Sequence, residues 1–510
     1  HQREYAGGHA DRDSPPRTPD RGNAVGAAHL SCTDRRRSMT GYDYFLRTHP
    51  LREQDKLVVA IKALHMATHG RTASDATVRH ILWRLLFERD RFPDLAAATA
   101  DWHTLAPTLT PTTTLTRAGR VRLEGRVFRD DAGQFFGLGA TLFSALWMAR
   151  YDRGRLQRAL DWLHSYDVDH VHVLCGTDRQ DRAIDPLGWG LPAFETALDD
   201  LVRDCRSRGI RLQPILLSGG LMIPRDKRLW WAEHMARVLS RYEADVIFVE
   251  LFLEGQKTVH DCSDDDLSEM ATVWLAQSSL LLAPTAPLAS GSDGAETVRE
   301  WQRAWMPFDL ASIHTDRSVR SPSGVFRHCR QPWHYRSIGP WANKEPAGAG
   351  RGEDDPARLA MEMAISIVSG AASYTWHSAA GVWDDQPLRD IDHAEAQLLA
   401  LRGVKRLLPP GLPNADRWNA GSGGHPYDDD DPHEAQRVRA YAAGPVDGCS
   451  YVAVLGQKDS YEVAARFEAR VDVFDATDAG QGPRETLELR EGERHTYRRA
   501  GDYIHRVTPR

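Results

Sequence analysis

Between residues 121 and 405, short apolar runs alternate with longer stretches whose apolar residues recur at helical spacing, and this alternation constrains the fold more than any other feature of the chain. The runs are FFGLGATLF, VDHVHVLCG, IRLQPILLSG, DVIFVELFLEG, LLLAPTAPLASG, DLASIHTD, IGPWANKEP and ASYTWHSAAG. Segments such as RGRLQRALDWLHSY, LPAFETALDDLVRDCRSRG and DDPARLAMEMAISIVSG lie between them. A crossover helix returns the chain to the end of the sheet from which the last strand started, so strands linked in this way run parallel. Eight such units match a closed (β/α)8 barrel. The competing open doubly wound sheet lacks its fingerprint, because Gly137-Leu-Gly139-Ala140 is only half of a Gly-x-Gly-x-x-Gly turn.

The flanks have other patterns. Residues 1–40 are rich in Arg, Asp, Gly and Pro and are expected to be a flexible arm. Residues 41–105 contain KLVVAIKALHMA and TVRHILWRLLFERD, which predict a helical extension, and 106–120 form a Pro/Thr-rich linker. An entry hairpin, RVRLEGRVFRDDAG, turns at Asp130–Gly133 and opens the barrel segment 121–405. Residues 406–510 begin with a Pro/Gly-rich break and continue as RVRAYAAG, CSYVAVLG, ARVDVFDATD, RETLELREG and DYIHRVTP, which predict a small antiparallel β-sandwich.

Composition narrows the function classes. Hydrophobic residues make up 41% and charged residues 26% of the 510, which excludes wholesale disorder, collagen and coiled coil. With 64 basic and 71 acidic side chains the net charge is −7, so no nucleic-acid partner is expected and neutral or weakly charged substrates fit better. No apolar run approaches the roughly 18 to 20 residues needed to cross a bilayer, and no membrane partner is expected. The chain begins with His1, so export after removal of a leader stays open beside a cytoplasmic location. The six cysteines are scattered without a Cys-x-x-Cys pair and read as mostly buried thiols, with a disulfide framework as the alternative. A Walker loop, a Gly-x-Ser-x-Gly elbow and a His-Glu-x-x-His motif are all missing from the sequence.

In a (β/α)8 barrel the reacting groups sit where the strands end, because the βα loops open there onto one bowl. The fourth run ends in VELFLEG, with Glu250 and Glu254, and the seventh in WANKEP, with Glu345. Two carboxylates converging from different strands suit glycoside cleavage: one protonates the leaving oxygen while the other attacks the anomeric carbon or activates water. Glu250 is the substitute for Glu254 under a shifted register. Trp376 and His377 end the eighth run, offering an indole platform and a hydroxyl-binding imidazole, and His314 ends the sixth, followed by Asp316. Trp341 and Asn343 flank Glu345. Trp147, Trp189, Trp333 and Trp383 fall in or near predicted βα loops, where rings can serve a sugar cleft or ordinary packing.

Over residues 121–405 these motifs resemble the clan of cellulase-like (β/α)8 glycoside hydrolases, in which an acid/base Glu follows strand four and a nucleophile Glu follows strand seven. ANKEPAGAG is similar to the corresponding turn of a glycosidase-like group with Asn-Glu-Pro at this point. The resemblance implies Glu254 as acid/base, Glu345 as nucleophile, a retaining double displacement of an oligo- or polysaccharide, and no cofactor or metal. A small C-terminal β domain is a common companion in that clan. Two positions depart from it: Leu253 stands where the clan has Asn, and His172 where an Arg is frequent. A catalytically inactive carbohydrate-binding barrel therefore remains the alternative.

A third reading is a metal-dependent barrel hydrolase, from His170-x-His172 on one strand with His314 as a further ligand. The fourth run offers no Lys, and SYTWHS no Asp, to complete such a site. The run Asp428–Asp431 reads as a solvated acidic loop, with Ca²⁺ binding as its alternative. Sugar, linkage and oligomeric state are not legible at this level.

Overall fold

The computed structural model describes residues 117–178, 182–218, 223–253, 262–285, 308–314, 339–344, 356–377, 391–419, 439–456, 461–464, 467–497 and 501–510. All belong to the unit Leu105–Arg510. The arm, the helical extension and most of the linker lie outside the described residues, as do Glu254, Glu345, Asp316, Trp333, Trp383 and the run Asp428–Asp431.

The chain enters through three short antiparallel strands, β1 (Arg122–Glu124), β2 (Val127–Asp130) and β3 (Gly133–Phe135). Asp130 pairs with Gly133 at the expected turn. This sheet closes the floor of the barrel. Phe128 and Phe135 lie against Phe248, Leu281, Leu310, Ala342 and Ala372 in a separate apolar cluster, with Phe128 stacked on Phe248 at 6.1 Å. A buried charge cluster fixes the hairpin: Asp130 receives Arg211 at 2.9 Å and Arg117 at 3.1 Å.

Eight parallel strands follow: β4 (Gly137–Thr141), β5 (His170–Leu174), β6 (Arg211–Leu217), β7 (Val249–Phe252), β8 (Leu282–Thr285), β9 (Ala311–Ile313), β10 (Trp341–Asn343) and β11 (Ala371–Trp376). Each falls on one of the eight runs read from the sequence, β11 beginning one residue before its run. Their hydrogen-bonded order is β8, β7, β6, β5, β4, β11, β10, β9. The ring closes between its two ends, where the N–H groups of Asp309 and Leu310 donate to the Leu282 carbonyl at 2.9 and 3.3 Å. The Leu282 N–H in turn donates to the Asp309 carboxylate at 2.8 Å.

The helices around the ring are α1 (Ala145–Tyr151), α2 (Arg153–His164), α3 (Pro186–Trp189), α4 (Leu191–Arg206), α5 (Arg228–Leu239), α6 (Asp264–Gln277), α7 (Pro356–Val368) and α8 (Ile391–Leu407). In α4, Phe194, Ala197, Leu198, Leu201, Val202 and Cys205 form the buried face at three- and four-residue intervals. Helix α6 starts at a capping box, Ser263 and Asp266 each satisfying the other's backbone N–H. The seven-residue α1 was not anticipated; its apolar residues are contiguous with the β4 run, which hides a separate helical period.

In the tail, β12 (Arg417–Asn419), β13 (Arg439–Val446), β14 (Cys449–Gly456), β16 (Ala469–Asp475), β17 (Glu485–Leu489) and β19 (Gly501–Pro509) form one six-stranded antiparallel sheet, while among the described residues β15 (Tyr461–Ala464) pairs with β18 (Arg494–Tyr497). Period-two alternation divides the larger sheet. Tyr441, Ala443, Tyr451, Ala453, Phe474 and Ile504 join the main core with α7 and α8. Ala440, Val454, Val471, Val473 and Tyr503 form a second cluster. The β-rich tail thus shares a core with the barrel. The Pro/Gly break contributes too, since Asn414 accepts from the Arg126 N–H at 2.6 Å and donates to the Glu124 carbonyl at 2.9 Å.

No helix among the described residues is long and apolar enough to cross a membrane. Cys175 and Cys205 are buried free thiols, and burial pushes the Cys175 pKa up to about 12. Cys32 and Cys329 lie outside the described residues.

Candidate active site

Contacts between strands that are not neighbours in the ring identify the inward face. Glu250 on β7 meets Ser312 on β9 at 3.1 Å and Lys344, directly after β10, at 2.5 Å. Such contacts can pass only through the barrel interior. A Cβ on Gly137 of β4 would meet Ser373, Ile247 and His170 at 3.1 to 3.3 Å, which marks the same interior from the other side. Alternation then assigns the remaining positions: Thr141, His170, His172, Glu250, Ser312, His314, Lys344, Ser373, Thr375 and His377 face inward. All are buried. The floor combines the apolar cluster around Phe128 and Phe135 with the buried Asp130–Arg211 pair.

The sequence-derived residues divide accordingly. His172, His314 and His377 are brought to the inward face. The His377 ring lies 3.0 Å from the Thr141 hydroxyl through Nδ1. Phe143 packs edge-on to His172 at 5.1 Å and lies 6.0 Å from His377, so both imidazoles neighbour one ring.

Trp341, Asn343 and Trp376 occupy the opposite parity, and for them the expectation of a substrate-binding role is corrected. The Trp376 indole donates to Gln397 of α8 at 2.8 Å and packs on Trp162 of α2, between sheet and helices. Asn343 donates to the Ser366 hydroxyl of α7 at 2.9 Å, and that hydroxyl donates to the Glu362 carbonyl at 2.7 Å. Trp341 is fully buried in the core on the same side, its indole toward the Ser369 carbonyl at 3.5 Å.

Glu250 is corrected in a different way. It faces inward, but both of its oxygens are engaged, one by the Lys344 ammonium and one by the Ser312 hydroxyl. With both partner side chains at 0% exposure, it links strands four, six and seven and is a poor substitute for a proton-transferring acid. The sequence reading missed Lys344 and Ser312. The signal was there: Ala342 and Lys344 share one parity and Ser312 and His314 another, so period two would have selected both.

His170 sits lower, under β4. A Cβ on Gly139 would fall 2.3 Å from its Nε2, so only glycine leaves room for the ring. Burial lowers its pKa to about 4, Lys405 and Arg211 act in the same direction, and Asp169 and the nearby Gln213 amide oppose them. The imidazole is neutral at neutral pH. No group of three or more His, Cys, Asp or Glu with the geometry to hold a metal occurs among the described residues. His170 and His172 share a face as the metal reading required, but their described surroundings are glycine, glutamine and phenylalanine, which do not complete a ligand set.

No protein-family model matches the chain, and no curated protein matches its sequence. Solved structures share its fold. One described as a glycoside hydrolase superposes with a TM-score of 0.56 at 13% identity, covering 77% of this chain and 97% of its own. A glycoside hydrolase family 5 structure from Bacteroides vulgatus ATCC 8482 gives 0.55 at 12% identity, over 78% of this chain and 95% of its own. The chain therefore has the fold of these hydrolases, a (β/α)8 barrel joined to a β-rich C-terminal domain. Its sequence is divergent from theirs.

Proposed function

We propose that the protein is a glycoside hydrolase acting on an oligo- or polysaccharide through two carboxylates, Glu254 as general acid/base and Glu345 as nucleophile. The observation that carries this reading is the link between strands four and seven. Lys344 binds Glu250 across the barrel. In sequence, Glu254 comes two residues after the end of β7 and Glu345 directly follows Lys344. The pair that the chemistry needs is thus encoded at the ends of two strands that an internal ion pair ties together, within a fold shared with glycoside hydrolases. A carboxyl separation of about 5 to 5.5 Å would make the reaction a retaining double displacement.

In this reading Glu254 protonates the glycosidic oxygen while Glu345 attacks the anomeric carbon. Glu254 then takes a proton from the water that releases the sugar. His172, His314 and His377 supply ring nitrogens for sugar hydroxyls. Hydrolysis of aryl glycosides by the wild type, abolished in Glu345→Gln with sugar binding retained, tests the assignment.

One observation favours a second reading, a barrel that binds carbohydrate without cleaving it. Leu253, an apolar and buried side chain, stands where a sugar-binding Asn would precede the acid/base. In that case the wild type binds glycans, and neither it nor any Glu variant turns them over.

A further inference from the structure

Three aromatic rings gather outside the barrel interior, where the chain leaves its first two strands. Trp147 and Tyr151 lie on α1, which follows β4, and Trp189 ends α3, which follows β5. Both segments join the end of a strand to the start of its outer helix, so both stand at the barrel end where active sites form. Trp147 lies 5.2 Å from Tyr151, and Tyr151 meets Trp189 edge-on at 5.6 Å. The Arg150 guanidinium covers both of the latter, 4.6 Å from the Trp189 ring and 5.1 Å from that of Tyr151. Arg182 lies 5.3 Å over Trp147.

Two features exceed what packing needs. Tyr151 is 53% exposed, more than any other large hydrophobic side chain among the described residues. Arg150 forms no ion pair among the described residues, and its Nε is buried without a hydrogen-bond partner. The carboxylates nearest in sequence are committed elsewhere: Asp152 caps α2 through the Arg155 N–H, and Asp185 caps α3 through Leu187 and Gly188. A guanidinium stacked by its flat face keeps its edge N–H groups for an anion, and two parallel N–H bonds fit a carboxylate. An exposed ring beside it suits the C–H face of a pyranose.

We propose that Trp147, Tyr151, Trp189 and Arg150 form a glycan-binding platform at the rim of the barrel, which takes a uronic acid unit of an extended saccharide. The inference rests on the glycosidase reading and adds a substrate class to it. The platform follows strands one and two, whereas Glu254 and Glu345 follow strands four and seven. The sugar held at the rim is therefore a different unit from the one cleaved. The net charge of −7 does not oppose this, because the charge of the platform itself is positive.

Affinity electrophoresis of the full chain in polygalacturonate, hydroxyethylcellulose and dextran sulfate gels tests the platform. The wild type is expected to be retarded most by polygalacturonate. Arg150→Met weakens that retardation about tenfold and leaves the neutral gel unchanged, while Tyr151→Ala weakens both. Quenching of wild-type tryptophan fluorescence by oligogalacturonate gives a second measurement that needs no variant. Absence of retardation and quenching for the wild type, binding in both variants equal to wild type, or stronger retardation by dextran sulfate overturns the assignment. Turnover of small aryl glycosides by the wild type reports separately on the carboxylates, so either reading can fail without the other.

Discussion

Lys344 and Glu250 lie 94 residues apart in sequence, yet their side chains meet at 2.5 Å inside the barrel with both at 0% exposure. Breaking a buried pair on one side strands the other charge, at a cost of about 3 to 5 kcal/mol, whereas replacing both partners with apolar groups of similar volume is far milder. Lys344→Met is therefore expected to lower stability by about that amount, and Lys344→Met with Glu250→Met to recover most of it. Denaturant unfolding of the two variants measures this; equal losses in the single and double variants would contradict the account.

Gly139 and His170 occupy one space. Adding a methyl group at Gly139 brings a carbon within 2.3 Å of the His170 ring, so Gly139→Ala should destabilise by about 1 to 3 kcal/mol. His170→Ala opens room and should restore part of the loss in the double variant. A double-mutant cycle by thermal melting checks this, and strict additivity would show that the two residues do not compete for space.

Acid should destabilise the fold through two histidines. Burial holds both His170 and His505 near a pKa of about 4, below the ordinary 6.5. The unfolded chain thus binds more protons than the native one between pH 6.5 and 4, and stability falls as pH drops through that window. Asp169, Lys405, Arg211 and Gln213 act on His170 in the native state, and the net effect is still a lowering. Relative to neutral pH, each histidine removes on the order of 3 kcal/mol of stability once the pH has fallen below this window. Melting temperatures of wild type and His505→Gln across this range should differ in slope, with the variant less sensitive to acid; parallel curves would contradict the assignment for His505.

Trp376 supports the structure rather than the substrate. Its indole bonds Gln397 and packs on Trp162, so Trp376→Ala should cost about 3 to 5 kcal/mol of stability and leave KM for small glycosides unchanged in the protein that remains folded. A rise in KM without loss of stability would return Trp376 to the sugar site.

All eight barrel strands were legible because each is a short apolar run bounded by a helical segment, and length separates the two patterns even where both are buried. Side-chain direction was less legible. Trp376 and Asn343 end strands near the expected carboxylates, and closeness in sequence was read as closeness in space. Alternation places neighbours on opposite faces, so His377 and Lys344 point inward while Trp376 and Asn343 point to the helices. The Lys344–Glu250 pair needed the ring order, since the sequence shows which residues share a strand face but not which strands oppose each other. The short strands β12, β15 and β18 escaped because RWN, YEVA and RHTY mix polar and apolar residues and contain no apolar run of the kind that marks the barrel strands.

Hydrolysis of an aryl glycoside panel, followed by proton NMR of the first sugar anomer released, tests the proposed function most directly. The account predicts turnover with net retention, loss of turnover in Glu345→Gln, and a fall of about 10² to 10⁴-fold in Glu254→Gln for substrates with poor leaving groups. Glycan binding with no turnover by the wild type, or wild-type rates in Glu345→Gln, would contradict it.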